Sequence, residues 1–292
     1  MQQGGFQMIK EVTTKRELQL FIHYIEVLYK DDPYVVYPLF FALKKELTLE
    51  VLKEQNYTAL LCYKGDEIVG RIMYTTDESK KQNKEIGYFS FFDCIHDQAV
   101  ALELCTYMAE DLKRKGIEYI EGSFAPYDPD TRRGILVQGF DSSPVIFTSY
   151  NYAYYQELLE TCGYTKAIDT VLLNADVTEH SKKRLNTIAR FFKRSNDVRI
   201  DPLDFKKLDR DLADVHKILL EATNEIVYQD APSIELVENA ARQLKAFINP
   251  NLIRIARENE TNRPIGFCLV LPDYNQVFKK TKGRLKLLTF LR

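Results

Sequence analysis

The sequence predicts an α/β (α+β) protein, and residues 85–122 give the clearest evidence for this fold class. They read as a strand, a helix and a second strand. The first strand is aromatic on both faces, which is typical of a strand buried inside a sheet. Apolar residues then recur three and four positions apart from Leu102 to Leu112, and Gly116 follows as a helix stop. A crossover of this length joins neighbouring parallel strands.

The composition is that of a protein that folds without disulfides or structural metals. The chain has 292 residues, 45% of them hydrophobic, which is enough for one large domain or two ordinary ones. A net charge of −2 gives no overall attraction to nucleic acid or to an anionic membrane. The five cysteines and four histidines are scattered, so we expect reduced thiols and no metal site. With neither a secretion signal nor a run long enough to span a bilayer, we expect a cytoplasmic protein without membrane contact.

The first half of the chain predicts elements on both sides of the crossover. Before the crossover these are a strand at 7–12, a helix at 13–29, a second helix that ends near residue 52, and a hairpin with strands at 58–63 and 68–74. After the crossover they are a polar loop at 123–133, a helix at 151–162 and a strand at 165–174. Thr13 or Thr14 supplies the cap of the first helix.

The second half repeats the opening order of the first. Helices at 204–221 and 233–248 precede a hairpin at 252–271, and each hairpin has a glycine, Gly70 or Gly266, near the start of its second strand. Such repetition predicts a tandem repeat of one fold. Only 26 residues follow Gly266, so we expect the second copy to lack about 80 residues at its C-terminal end.

This repeat predicts a division of the chain. We expect a first domain at residues 1–176, a basic linker helix at 177–196 and a partial second domain at 197–292. The second hairpin of a partial copy has an open strand edge, through which the chain could self-associate. The linker helix carries six lysines and arginines against Glu179 alone. A solvated helix docked on one domain is the default interpretation, and nucleic-acid contact is a minor alternative.

Seven motifs carry a resemblance that covers nearly the whole chain. They are LYKDDPYV at 28–35, VGRI at 69–72, GYFSFFD at 87–93, GFDSSP at 139–144, YYQELLETCGY at 154–164, LPDYN at 271–275 and KGRL at 282–285. With these motifs the chain resembles a group of bacterial proteins related to the GNAT acetyltransferases. The resemblance implies a GNAT-like mixed, twisted sheet flanked by helices, acetyl-CoA as acyl donor, and acetyl transfer to a small-molecule amine.

The turn after the aromatic strand corresponds to the place where GNAT proteins hold the donor pyrophosphate. The candidate cofactor-binding residues are therefore Phe92, Asp93, Cys94 and Ile95. In the family this turn is rich in glycine, because bare N–H groups at a helix N-terminus suit an anion. Here it has no glycine and includes two carboxylates, Asp93 and Asp97. We expect the first half to lack the usual pyrophosphate loop and to bind acetyl-CoA weakly, and the second half to be the better CoA site.

Tyrosines in the late helix are the candidates for acid catalysis. In the family, a tyrosine four residues before the closing glycine protonates the leaving thiolate, but Leu159 has that position here. The candidate catalytic residue is Tyr155, with a packing role as the alternative. The candidate substrate-binding residues are Asp128, Arg132, Arg133, Tyr150 and Asn151.

These observations favour an acyl-CoA-dependent N-acyltransferase-like protein that passes an acetyl group to an unknown amine. The alternative is a non-catalytic ligand-binding or scaffold protein on a degenerate GNAT fold.

Overall fold

Helices and strands occur together in both parts of the chain, as the sequence predicts. The computed structural model describes residues 7–79, 82–124, 134–195, 197–226, 231–244 and 249–284. The chain divides into two units, the first made of Met1–Ser79, Asn83–Ala167 and Asp273–Arg292, and the second of Lys80–Gln82 and Ile168–Pro272. None of the helices in the described ranges combines the length and the hydrophobicity that crossing a bilayer requires.

A five-stranded mixed sheet forms the centre of the first unit. Its strands, in spatial order, are β1 (Gln7–Glu11), β2 (Thr58–Lys64), β3 (Glu67–Ser79), β4 (Lys84–Cys94) and β5 (Ile120–Gly122). The neighbours from β1 to β4 pair antiparallel, whereas β5 pairs parallel with β4 over three residues. The predicted hairpin and the parallel crossover are thereby confirmed.

Helices cover both faces of this sheet. The elements α1 (Lys15–Leu28), α2 (Phe40–Glu46) and α3 (Leu49–Glu54) pack on one face, and α4 (Gln98–Arg114) and α5 (Tyr155–Thr161) on the other. Leu61 of β2 belongs to the first core and Leu60 to the second, because successive side chains of a strand point to opposite faces. A sheet covered on both sides explains why β4 carries buried aromatic residues on both faces.

Local capping chemistry sets the helix boundaries of this unit. The Thr14 hydroxyl accepts from the Glu17 backbone N–H while the Glu17 carboxylate accepts from the Thr14 N–H, which forms a capping box at α1. The single helix predicted to end near residue 52 is instead two helices. The break falls at Thr48, whose hydroxyl accepts from the Val51 N–H and so starts α3.

Two predicted elements after the crossover differ from the structure. The helix predicted at 151–162 begins only at Tyr155, because the Asn151 side chain binds the backbone of Leu136 and Tyr152. Residues 165–174 form no strand, and none of the described strands pairs with them. A strand needs a neighbour for its backbone hydrogen bonds, so apolar alternation alone was not sufficient.

The second unit contains a smaller sheet. Its strands, in spatial order, are β6 (Val198–Pro202), β7 (Ile253–Glu258) and β8 (Pro264–Leu269), all antiparallel. Its helices are α6 (Glu179–Ser195), which is the predicted basic helix, α7 (Leu208–Thr223) and α8 (Ile234–Leu244), with 3₁₀ turns at Phe205–Lys207 and Pro250–Leu252. The sequence prediction did not include β6. The order β6, α7, α8, β7, β8 parallels that of β1, its helices, β2 and β3, and we retain the tandem copy as a proposal.

The last described helix, α9 (Asn275–Thr281), groups with the first unit. The Asn275 amide donates to the Pro144 carbonyl at 2.9 Å, and the Phe40 N–H donates to the Gly283 carbonyl at 3.2 Å. The domain predicted at 197–292 stays a proposal, and these contacts favour ending it before Asp273.

Candidate functional site

The carboxyl end of β4 departs from regular strand geometry. Arg71 of β3 pairs with Asp93 and Met73 pairs with Ser90, so two residues of β4 lie opposite one residue of β3. One of the two, Phe91, has a φ of 50°, a conformation that bulky side chains rarely adopt. This is a β-bulge, a feature that re-aims side chains and is common beside active sites. The bulge ends where Asp93 pairs again with Arg71.

An ion pair lies next to the bulge and is almost inaccessible to water. Asp93 Oδ2 accepts from Arg71 Nε at 2.8 Å and from Nη2 at 2.5 Å, and the two side chains are 0% and 1% exposed. Arg71 Nη1 also donates to the Phe21 carbonyl at 2.6 Å, and its guanidinium carbon lies 5.1 Å from the ring centres of Phe21 and Phe91. Buried charges require such partners, because desolvation of an isolated ion costs several kcal/mol. Asp93 is therefore held as an anion in a fixed position.

The hydroxyls of Tyr155 and Tyr29 lie next to Oδ1, the second oxygen of the Asp93 carboxylate. Tyr155 donates to Asp93 Oδ1 at 3.3 Å, and Tyr29 donates to the Tyr155 oxygen at 3.0 Å. The Cys94 backbone N–H donates to the same Tyr155 oxygen at 3.3 Å. The Tyr155 oxygen thus receives two hydrogen bonds while its own proton faces a carboxylate.

Tyr154 and Tyr155, at the start of α5, form hydrogen bonds with the backbone groups of Cys94 at the end of β4. The Tyr154 hydroxyl donates to the Cys94 carbonyl at 2.8 Å, while the Cys94 N–H is bound to Tyr155. On the outer side the His96 ring stacks on Tyr154, with the ring centres 4.4 Å apart and the planes at 7°. Cys94 itself is fully buried, and burial raises the pKa of its thiol well above the ordinary range. A thiol in this state is a packing group and not a nucleophile.

Burial also determines the protonation state of Tyr155. It raises the pKa of the hydroxyl well above the usual value, and the neighbouring Tyr29 and Asp93 raise that pKa further. Tyr155 is therefore a neutral phenol at physiological pH. A neutral phenol can supply a proton to a group that becomes more basic during a reaction.

Tyr150 and Asn151 are held beside this network by the loop before α5. The Tyr150 hydroxyl lies 2.9 Å from both oxygens of Asp32. Burial raises the pKa of Tyr150, and its hydrogen bond to Asp32 adds to the effect. Asn151 Oδ1 accepts from the Leu136 N–H at 2.7 Å, which ties the segment at Leu136 to the loop before α5. These hydrogen bonds hold Tyr150 and Asn151, two of the five predicted substrate-binding residues, in place beside the network.

A small cavity of about 10 Å³ lies at the centre of these groups. Its lining includes Phe92, Asp93, Tyr150, Asn151 and Tyr155, five of the residues that the sequence suggested as site residues. This volume matches about one water molecule, so it fits a single reacting group and not a whole ligand. A larger concavity of about 310 Å³ is bounded by α6 residues alone and lacks a comparable network.

Other candidate residues do not line this cavity or cannot be placed. Cys94 and Ile95 follow the lining residues in the chain but are not part of the lining. Asp128, Arg132 and Arg133 lie outside the described residues. The residues that flank this segment, Ser123 and Gly134, both line the cavity, and the Gly134 N–H donates to the Ser123 carbonyl at 2.7 Å.

The turn between β4 and α4 offers little to a pyrophosphate. The Asp97 carboxylate caps α4 by accepting from the Ala99 N–H at 3.0 Å, so the protein's own anion occupies the helix terminus. Lys64 lies 3.4 Å from the same carboxylate. Asp93, the other carboxylate that the sequence placed in this turn, is paired with Arg71.

Two members of the network were missed from the sequence. Arg71 was the only charged residue in the apolar run 68–74, and such a charge in a buried strand needs a partner. That signal could have indicated a carboxylate on a neighbouring strand. Nothing local distinguished Tyr29 from the other tyrosines of the chain.

Comparison with known proteins decides the fold. No family model matches the chain. Among solved structures, the GCN5-related glucosamine N-acetyltransferase region of a fungal multi-domain β-N-acetylglucosaminidase aligns with 90% of this chain and 27% of that one, with a TM-score of 0.51 and 11% identity. This chain has the GNAT fold. The features that it shares with this fold include a mixed sheet in which β5 pairs parallel with the bulged strand β4.

Two curated relatives match nearly the whole GNAT-fold chain in sequence. Protein YghO of Escherichia coli strain K12 is 25% identical over 287 residues, covering 95% of this chain and 71% of that protein. A protein named bacterial ceramide synthase, from Caulobacter vibrioides, is 26% identical over 287 residues, covering 94% and 72% respectively.

Proposed function

We propose that this protein is an N-acyltransferase that forms an amide between an acyl thioester, supplied as acyl-CoA, and a long-chain amino alcohol. The observation that carries the proposal is the match along 94% of the chain to a protein named bacterial ceramide synthase. A ceramide is the amide of a fatty acid with a long-chain amino alcohol. The GNAT fold supports the same reaction type, and the cavity at the end of β4 supplies suitable chemistry.

In the proposed reaction the amine nitrogen attacks the thioester carbonyl. The C–N bond forms, the C–S bond breaks, and the amine gives up a proton to solvent. Tyr155 donates its proton to the leaving thiolate, and solvent returns to Tyr155 the proton that the amine released, so the neutral phenol is restored. The resulting phenolate keeps the two hydrogen bonds that its oxygen already receives, from Tyr29 and from the Cys94 N–H. These donors are in place before the reaction, so they stabilise the developing charge without rearrangement.

The buried ion pair has a positioning role in this proposal. Asp93 accepts a hydrogen bond from the Tyr155 hydroxyl at rest and so fixes the direction of that hydroxyl, while Arg71 fixes Asp93. Tyr150, which lines the cavity and is held by Asp32, is the candidate contact for the thioester carbonyl or the amine. Only the reacting group fits the cavity of about 10 Å³, so the acyl chain and the amino alcohol chain extend outside it.

The nucleotide part of acyl-CoA is held differently from the usual GNAT arrangement. Asp97 occupies the N-terminus of α4 with its own carboxylate, which disfavours a pyrophosphate there. We therefore expect donor affinity to come from the acyl chain and the pantetheine arm, and free CoA to bind weakly.

The proposal is tested by incubating the full chain with palmitoyl-CoA or acetyl-CoA and either sphinganine or a short primary amine. Amide product is measured by mass spectrometry and free CoA thiol by a colorimetric reagent. We expect amide and thiol in equal amounts, with sphinganine preferred over the short amine. Absence of amide with every pair, from folded protein, would contradict the proposal.

A non-catalytic ligand-binding protein is the second candidate function. The observation that favours it is the same Asp97 cap, which removes a feature on which acyl-CoA enzymes of this fold rely. It predicts that the chain binds a long-chain amine or acyl-CoA in calorimetry without releasing thiol.

A further inference from the structure

The helix α6 has two chemically distinct sides. Leu185, Ile188 and Phe192 recur at spacings of three and four, which places them in one apolar stripe. The remaining circumference carries Phe191, which is exposed, and a set of basic residues. Those whose side chains are described are Lys182, Lys183, Arg184 and Arg190. A helix divided in this way, with a narrow apolar stripe and a strongly charged remainder, is of the kind that lies in the interface of a membrane.

The apolar stripe of α6 is in contact with solvent. Leu185 is 62% exposed and Ile188 is 54% exposed. The sequence suggested a linker helix docked on one domain, but neither residue belongs to the described hydrophobic cores. A single exposed leucine is ordinary, whereas neighbouring apolar residues on one helix face indicate an interaction surface.

The charge of α6 is also largely uncompensated. Lys182 is paired with Glu179 at 2.7 Å. Within the described part of the chain, Lys183, Arg184 and Arg190 have no carboxylate within salt-bridge distance. The whole chain has a net charge of −2, so this helix is a local concentration of positive charge. Its complement is a surface that is both anionic and apolar.

We propose that α6 docks this protein on an anionic lipid bilayer. Leu185 and Ile188 enter the boundary between headgroups and acyl chains, and the flanking cations, Lys182 and Arg184, reach the lipid phosphates. Nucleic acid satisfies the charges but leaves the apolar stripe in water. A second copy of α6 covers the stripe but brings like charges together. A bilayer with anionic headgroups satisfies both sides of the helix.

This docking goes beyond the proposed acyl transfer and can be tested without it. It revises the expectation of no membrane contact, which rested on net charge and on the absence of a spanning segment. If the acceptor is a long-chain amine, docking also brings the enzyme to the layer in which such an amine dissolves.

The chain contains no tryptophan, so one introduced tryptophan is a specific probe. We would place it in the stripe with Ile188→Trp and, as a matched control, on the polar side with Thr187→Trp. Vesicles of phosphatidylcholine, alone or mixed with phosphatidylglycerol, are then added. We expect the emission of Ile188→Trp to shift to the blue only with the anionic vesicles, and that of Thr187→Trp to shift much less. Equal shifts, or no shift at either position, would overturn the proposal.

Vesicle sedimentation of the wild-type chain gives a second readout. At about 1 kcal/mol for each basic residue, the double variant Lys182→Gln/Arg184→Gln should bind anionic vesicles about 30-fold more weakly. The matched control Lys206→Gln/Lys207→Gln removes two exposed charges from the same unit and should bind as wild type. Leu185→Ser/Ile188→Ser should also lose binding. Equal loss in the control, or binding to a polynucleotide but not to vesicles, would contradict lipid docking.

Discussion

Arg71 and Asp93 form a buried ion pair across β3 and β4, with Arg71 Nε and Nη2 both donating to Oδ2 of the carboxylate. The pair lies at the bulge of the central strand, and the other carboxylate oxygen accepts from Tyr155. It therefore connects the strand geometry to the proposed proton donor. Removing one member of such a pair leaves an uncompensated charge in the core.

We predict that Arg71→Met lowers the free energy of unfolding by about 3–5 kcal/mol, because Asp93 then remains buried without its cation. Urea denaturation measures this change. The matched control is Lys64→Met, which breaks the partly exposed pair between Lys64 and Asp97 and should cost less than about 1 kcal/mol. Similar losses in the two variants would show that the buried pair contributes no more to the free energy of unfolding than the partly exposed pair does.

We predict that Tyr155→Phe lowers kcat about 10²- to 10⁴-fold with little change in KM, because it removes the proton donor to the leaving thiolate. Tyr74→Phe is the matched control, since Tyr74 is also buried and donates to a carboxylate, Asp111, but does not line the cavity. Activity in Tyr155→Phe equal to that in Tyr74→Phe would exclude the assigned role.

The pH profile provides an independent check on Tyr155. Its pKa is raised well above 10, so the hydroxyl keeps its proton throughout the neutral and moderately alkaline range. We expect no alkaline loss of kcat from this group below about pH 10. An alkaline limb centred near pH 8 in the wild type that is absent in Tyr155→Phe would contradict a proton donor with a raised pKa.

We predict that Asp97→Asn strengthens binding of free CoA about two- to fivefold. The substitution keeps a side chain that can cap α4 but removes the negative charge from the helix terminus. Calorimetric titration with CoA measures the effect. Glu110→Gln removes an exposed charge from the same helix and should leave the affinity for CoA unchanged. No difference between the two variants would mean that the pyrophosphate lies away from this terminus.

We predict that Glu17→Gln costs about 1 kcal/mol at neutral pH, because it removes the negative charge that Lys10 and the N-terminus of α1 stabilise, while the amide oxygen can still complete the capping box. The hydrogen bond from Lys10 and those from the Thr13 and Thr14 backbone lower the pKa of Glu17 to about 2. A carboxylate with a lowered pKa in the folded state stabilises the protein above its unfolded pKa. This contribution is lost as pH falls from about 5 to 2. Denaturation across this range should show a weaker acid dependence in Glu17→Gln than in Glu103→Gln, an exposed control on α4, and equal profiles would contradict it.

Local chemistry explains which parts of the fold the sequence predicted. The threonine cap of α1, the Asp97 cap of α4 and the turn at Gly116 depend only on adjacent residues and were recognisable. The strand predicted at 165–174 failed because pairing is a tertiary property. β6 was missed although Val198 and Ile200 alternate with charged residues, because the pattern is only five residues long.

The candidate site was predictable in part, where the position of a residue along the chain was enough to suggest it. Tyr150, Asn151 and Tyr155 follow from their position near the late helix, and Phe92 and Asp93 from the end of the central strand. The bulge at Phe91 was not foreseeable, because a phenylalanine with positive φ is unfavourable by itself and is held there by packing against Phe21 and Arg71. To predict that Arg71 pairs with Asp93, one would have needed the register between β3 and β4.

The central claim is that the end of β4, at Tyr155, is the place of acyl transfer. The most direct measurement is an experimental structure of the full chain with a thioether analogue of acyl-CoA, in which the scissile bond cannot break. We predict that the analogue's sulfur lies within hydrogen-bonding distance of the Tyr155 hydroxyl, with its carbonyl between Tyr155 and Tyr150. An analogue whose sulfur is bound in the second unit, or elsewhere on the first, would contradict the claim.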